Sequence, residues 1–318
     1  MRRLSSDELD ELVRLHLRVS NHLVTARGMA HDEDLTAYLS MVVARSSALV
    51  HGTRPRSLRT LLDALMVSFP AAVWHARIGI VVSAALFVVG ALSVGAWLTF
   101  SESALQASAP ADVRQAYVER EFVEYYSSEP AVTFAARVFT NNAGVGALAW
   151  GSGVLFGVPT LAILLLNGVN VGLAGGLFHA VGDAGTFWGL ILPHGLLELT
   201  AVFVAGGAGL RLGWSVIAPG DRTRRASLRD EGRRSIVIVG GLVVVFLIAG
   251  VLEAFVTPAP WPTSLRVGTG AAVWVALSTW VIATGRSLAA RGLTGAPNEL
   301  PLLRSAPPHQ PPDVFVSR

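Results

Sequence analysis

Residues 187–210 read Phe187-Trp188-Gly189-Leu190-Ile191-Leu192-Pro193-His194-Gly195-Leu196-Leu197-Glu198-Leu199-Thr200-Ala201-Val202-Phe203-Val204-Ala205-Gly206-Gly207-Ala208-Gly209-Leu210. The run is apolar or small almost throughout and carries one charge, Glu198. At about 1.5 Å per residue it is long enough to cross a hydrocarbon layer of about 30 Å. A carboxylate at the centre of such a span costs about 2.5–3.5 kcal/mol on insertion scales. It must therefore face protein or water, or find a partner. His194 lies one helical turn earlier and shares its face. Pro193 releases a backbone carbonyl one turn before itself.

Working outward, five more apolar segments lie at 78–100, 142–166, 168–181, 235–257 and 267–285. The whole chain of 318 residues is 52% hydrophobic and 15% charged, with a mean hydropathy of +0.52. A soluble domain carries about 25% charged residues. With no cysteine, disulfide scaffolds, thiol catalysis and thiolate metal sites are excluded. The basic residues are all Arg and sit in blocks beside apolar segments, where membrane topology accounts for them; no nucleic-acid partner is expected.

Residues 1–77 hold ten Arg against eight acids, the connection 101–141 three against six, the connection 211–234 seven against three, and residues 286–318 four against two. Positive-inside logic places 1–77, 211–234 and 286–318 in the cytoplasm and 101–141 outside. An odd number of crossings must separate 101–141 from 211–234, so the short segment 168–181 counts as a crossing. The expectation is an all-α protein with six transmembrane helices and both termini inside.

Three regions follow from this. Residues 1–77 form a cytoplasmic helical domain, with no secretory leader expected. Its helices carry Leu9, Leu12, Val13 and Leu17, then Leu35, Tyr38, Leu39 and Val42, then Leu58, Leu61, Leu62 and Leu65 to about Phe69. Residues 78–285 form the membrane domain. Its outer loop 101–141 has an aromatic, acidic stretch, Tyr117–Tyr126, and an amphipathic helix lying in the interface over Pro130–Phe139. Residues 286–318 form a Pro-rich, disordered cytoplasmic tail.

Three features bear on chemistry. The first is the His194/Glu198 face. It reads as a polar pair that fastens neighbouring helices, as a proton relay or polar binding site, or as part of a metal site. His-x-x-x-Glu supplies only two ligands, and His179 is the one other histidine in a span. The second is the set Asn141, Asn142, Asn167 and Asn170 with Gly168; the asparagines read as helix-end caps, or Asn167 lines a polar cavity. The third is the four-residue spacing of Gly168, Gly172 and Gly176, of Gly153 and Gly157, and of Ala205 and Gly209. Such faces let backbones approach closely. No cofactor is expected, because these glycines lack a strand–turn–helix context. Glu253, near the end of its span, reads as a residue that snorkels to the interface.

Several short motifs in order resemble one family. They are Leu12-Val-Arg, Asn21-His-Leu-Val, Tyr38-Leu-Ser-Met-Val-Val-Ala-Arg45, Phe69-Pro70 with Arg77, Phe139-Thr-Asn141-Asn142, Asn167-Gly168 with Gly172, and Pro193-His194-Gly195-Leu-Leu-Glu198 followed by Gly206 and Gly209. Over roughly residues 9–291 the chain resembles the stage II sporulation protein M family of integral membrane proteins. The resemblance implies a bacterial inner-membrane protein in contact with the bilayer. It further implies a scaffold for membrane or envelope proteins, as the founding member anchors peptidoglycan-degrading partners during engulfment. Self-association into a homo-oligomer stays open. The competing reading is an intramembrane transporter, or a hydrolase with Glu198 as base and His194 as ligand or acid. No nucleophile triad, phosphate loop or complete metal set is visible, so an enzyme is the less favoured reading.

Overall fold

A computed structural model describes residues 6–29, 33–50, 58–121, 130–297 and 299. The described residues are 87% helix, with no strand among them. The chain forms two compact units that divide at Leu61/Leu62.

The first unit is a helix pair. Helix α1 (Ser6–Met29) packs on α2 (Glu33–Val50), and His16 Nδ1 lies 2.8 Å from Ser46 Oγ. Leu23 is buried, while Leu17, Val24 and Tyr38 remain exposed.

The second unit begins at Leu62. After α3 (Leu58–Asp63) a wide helical turn, Ala64–Ser68, leads into α4 (Phe69–His75). Pro70 does not end the helix, because it falls in the first turn of α4, where its missing N–H costs nothing. Phe69, Pro70, Ala71 and Ala72 are buried. Gly241 and Gly285 make room for them: a Cβ at 241 would meet the Phe69 ring at 2.1 Å, and one at 285 the Pro70 carbonyl at 2.4 Å.

Five helices are long and apolar enough to cross a membrane: α5 (Arg77–Phe100), α9 (Val158–Ala180), α10 (Ala184–Ile217), α11 (Arg224–Phe255) and α12 (Thr263–Ala290). Between α5 and α9 lie the short α6 (Glu102–Ser108) and α7 (Ala111–Ala116), then α8 (Ala131–Gly151). Helix α8 packs on α10 and α11. It carries Thr133, Arg137, Thr140, Asn141 and Asn142, which keep it out of the apolar set.

The boundaries of the second and third spans are corrected here. The expected segments 142–166 and 168–181 are replaced by α8 and α9, which meet at a break near 152–157, not at Asn167-Gly168. Phe156 has φ +58° and Gly157 φ +77°, so the chain turns through left-handed backbone. Pro159 then sits in the first turn of α9. An apolar count passes over Gly151-Ser-Gly153 and Gly157-Val-Pro159, which are turn signals. Helix α8 takes in Ala131–Phe139 as its first half, with Pro130 as its N-cap. Phe134 and Ala135 are buried, so this stretch is no separate interfacial helix.

Glycine sets the helix spacing. On α9, a Cβ at Gly168 would lie 2.1 Å from the Phe87 carbonyl, and one at Gly172 2.3 Å from that of Ala91. A Cβ at Gly153 would lie 2.1 Å from the Gly209 carbonyl. The small-residue faces read from the sequence therefore do bring backbones together, α9 onto α5 and the α8–α9 turn onto α10.

A charged layer closes the end where α10 finishes and α11 starts. Arg211 donates to both oxygens of Glu231 at 3.2 and 3.3 Å and to His75 at 2.6 Å. Arg234 donates to Glu231 at 3.3 Å and to Thr294 at 2.9 Å. Helix α12 runs on to Ala290, and Glu299 Oε2 accepts the N–H groups of Thr294 and Gly295 at 2.8 Å and of Ala296 at 3.2 Å. Gly295 (φ +80°) presses against Ser68 and Ala72 of the membrane-entry segment. The Pro-rich stretch 300–318 and residues 122–129 lie outside the described residues.

Candidate functional site

The site is built on α10. Pro193 sits inside this helix and is fully buried. Helix α12 crosses against it: a Cβ on Gly270 would lie 2.0 Å from the Pro193 carbonyl, so only glycine fits there. One residue on, His194 is 3% exposed, and four further on Glu198 is also 3% exposed. Neither side chain faces lipid.

Two other helices supply their partners. From α8, Asn142 Nδ2 donates to Glu198 Oε2 at 2.5 Å. From the end of α11, Glu253 Oε2 pairs with His194 Nδ1. Thr257 lies 3.2 Å from the same nitrogen and donates to Glu253 Oε2 at 3.1 Å. Glu253 and Thr257 are 2% and 3% exposed. Arg266 of α12 donates to the Thr257 carbonyl at 2.6 Å and to Thr263 Oγ1 at 3.1 Å, fixing the turn that follows α11. Glu198 is within electrostatic reach of both His194 and Glu253. The result is one buried polar network across four helices. Within it, Glu198 Oε1 and Glu253 Oε1 accept no hydrogen bond from the described residues.

Glu253 does not snorkel, contrary to the sequence reading. It turns inward because His194 and Thr257 offer it an ion pair and a donor. A signal for this was available. An acid in the last turn of a helix opposes the helix dipole and so calls for a partner, and Thr257 stands four residues on.

Of the other candidates, only Asn142 joins the site. Asn141 is exposed. Asn167 lies mid-helix and donates to the Ile163 carbonyl of its own helix at 2.8 Å, while Gly168 serves contact with α5. His179 is exposed and engaged elsewhere, with Nδ1 2.7 Å from the Gly175 carbonyl and Nε2 receiving the Trp188 indole N–H at 3.4 Å. It does not come to His194. Among the described residues no group of three or more His, Asp or Glu side chains has metal-site geometry.

Next to Glu198 along α10, Leu197 and Thr200 border a cavity of about 180 Å³. Its walls are apolar, formed by Phe69, Val204, Leu242 and Trp280 among others. Trp274 of α12 donates to Thr200 at 2.9 Å, adding a second cross-link between α12 and α10. Chemically, the arrangement joins helices through charge-assisted bonds, and it holds two carboxylates and an imidazole where a proton could pass among them.

Spanning-length helices, glycine-close packing and a sealed polar network mark a multi-pass membrane protein. The chain belongs to the stage II sporulation protein M family, whose model matches residues 83–258. A second model, described as a domain of unknown function, matches residues 1–52. A relative in Methanocaldococcus jannaschii, itself an uncharacterized protein, is 27% identical over 123 residues, covering 38% of this chain and 69% of its own length. No solved structure matches.

Proposed function

We propose that the protein is a non-enzymatic scaffold in the bacterial cytoplasmic membrane, recruiting envelope or peptidoglycan-remodelling proteins on the outer side. In this reading α8 is a sixth crossing, both chain termini are cytoplasmic, and α6–α7 face outward. The supporting observation is that the α6–α7 segment is built as a platform. Ser101 caps α6, accepting the Ala104 N–H at 3.2 Å. Arg114 donates to the carbonyls of Leu105, at 2.9 Å, and Ala109. Ala104 and Val118 are buried against Leu98, Leu177, Phe178 and Phe187, while Glu102, Asp112 and Glu119 face outward. A fixed acidic surface on a rigid bundle suits recruitment. The test is site-directed crosslinking from single cysteines at Ser103 and Gln106, which a cysteine-free chain permits. Envelope proteins captured there, and not from a cysteine at Ile282, support the reading. No specific capture sinks it.

A second reading is favoured by the two carboxylate oxygens that lack donors. There, His194, Glu198 and Glu253 carry a proton or serve a transported or hydrolysed substrate. Glu198→Gln and His194→Asn separate the two. Reduced membrane abundance points to helix fastening, and normal abundance with lost phenotype points to chemistry.

A further inference from the structure

Of the arginines around the start of α11, Arg222 and Arg234 are paired, and Arg224 is exposed at the first residue of the helix. Arg222 pairs with Asp230 at 3.1 Å and Arg234 with Glu231 at 3.3 Å. Arg225, Arg229 and Arg233 are exposed and have no ion-pair or hydrogen-bond partner among the described residues. They recur every four residues, so they line one face of the helix. The two carboxylates of this stretch of α11 are already engaged: Asp230 by Arg222, and Glu231 by Arg211, Arg234 and His75. The stripe thus keeps its full positive charge.

We propose that this stripe binds the phosphate headgroups of anionic phospholipids. Its position carries the argument. The apolar part of α11 starts at Ser235, two residues after Arg233. From Arg233 to Arg225 the stripe rises about 12 Å at ~1.5 Å per residue. A headgroup layer is about 5–7 Å deep on each side of the hydrocarbon. Measured from Ser235 at the same rise, Arg233 lies about 3 Å out, within that layer, Arg229 about 9 Å out, just past its outer edge, and Arg225 about 15 Å out, in water inside a Debye length of about 8 Å. An independent feature marks the same level. At the end of the antiparallel α10, Trp214 is 60% exposed and Ile217 50% exposed. An exposed indole is an interfacial anchor. Arginine matches phosphate through a planar fork of donors, which suits a phosphodiester better than a diffuse surface charge would.

The experiment uses the full-length protein in neutral detergent. Bound lipid is counted by native mass spectrometry during titration with phosphatidylglycerol, phosphatidylcholine or inorganic phosphate. Two double variants lose the same charge, Arg229→Gln/Arg233→Gln in the stripe and Arg14→Gln/Arg18→Gln in the first unit. Each arginine near an anionic surface contributes about fivefold in affinity, so the stripe variant binds phosphatidylglycerol roughly thirtyfold more weakly. The other variant changes less than fivefold. Equal losses in both variants overturn the proposal, as does phosphatidylcholine binding as tight as phosphatidylglycerol binding. Inorganic phosphate saturating the stripe as tightly as the lipid assigns it to a free anion instead. A photo-crosslinker at position 229 in intact membranes should label lipid; capture of an acidic protein there would make the stripe a protein interface and end the lipid assignment.

Discussion

Replacing Gly168 by alanine adds one methyl group at the α5–α9 contact, and the structure gives its cost. The new Cβ would stand 2.1 Å from the Phe87 carbonyl oxygen, 2.9 Å from its carbon and 3.0 Å from its Cα. Carbon–oxygen contacts settle near 3.3 Å or more, so the helices must separate by about 1.2 Å. Backbone atoms make the whole contact, and no rotamer change relieves it. A gap of that size forfeits half or more of the dispersion attraction at neighbouring contacts, including Gly172 against Ala91. Overpacking of this kind costs about 3 kcal/mol. Gly144→Ala is the control, since nothing lies within 4 Å of a Cβ there. In a helix interior that change should be neutral or stabilise by up to about 1 kcal/mol. Thermal unfolding of the two variants in the same detergent, with size-exclusion elution to report folding, measures the difference. A Gly168→Ala protein as stable as the wild type, or one indistinguishable from Gly144→Ala, would refute the claim that backbone contact holds α9 to α5.

Three further outcomes are expected. His194→Leu should destabilise by about 3–5 kcal/mol, because it strands the buried Glu253 carboxylate. In a double-mutant cycle with Glu253→Leu the combined loss should fall well below the sum; additive losses would deny the pair. Glu299→Ala removes the acceptor for three backbone N–H groups, and limited trypsin digestion should cut after Arg291 several times faster than in the wild type, with the rest of the chain equally resistant. Single cysteines at Gln106 and Arg225 should label from opposite sides of sealed membranes with an impermeant maleimide; labelling from one side would overturn the proposed crossings.

The parts of this fold legible in the sequence depend on spacing within one segment. Gly168, Gly172 and Gly176 announced a close-packed face, and His194 with Glu198 announced a sheltered one, because helical periodicity alone relates those residues. What stayed hidden depends on contacts between segments. Asn142 and Glu198 lie on different helices, and nothing in the spacing pairs one with the other. Nor does it direct Glu253 toward His194. The α8–α9 break was hidden for a different reason. Its glycines and aliphatic residues add to an apolar sum while their backbone conformations end a helix.

Helix α8 bears on how the protein is made. Its Thr133, Arg137, Asn141 and Asn142 leave it too polar to partition into lipid unaided, and the surfaces that shelter it belong to α10 and α11. Those surfaces leave the ribosome later than α8 does. The order of synthesis therefore runs against the order of dependence: α8 is made before the helices that pack on it. The left-handed backbone at Phe156-Gly157 joins α8 directly to α9, so the two emerge as neighbours ahead of the helix that shelters Asn142.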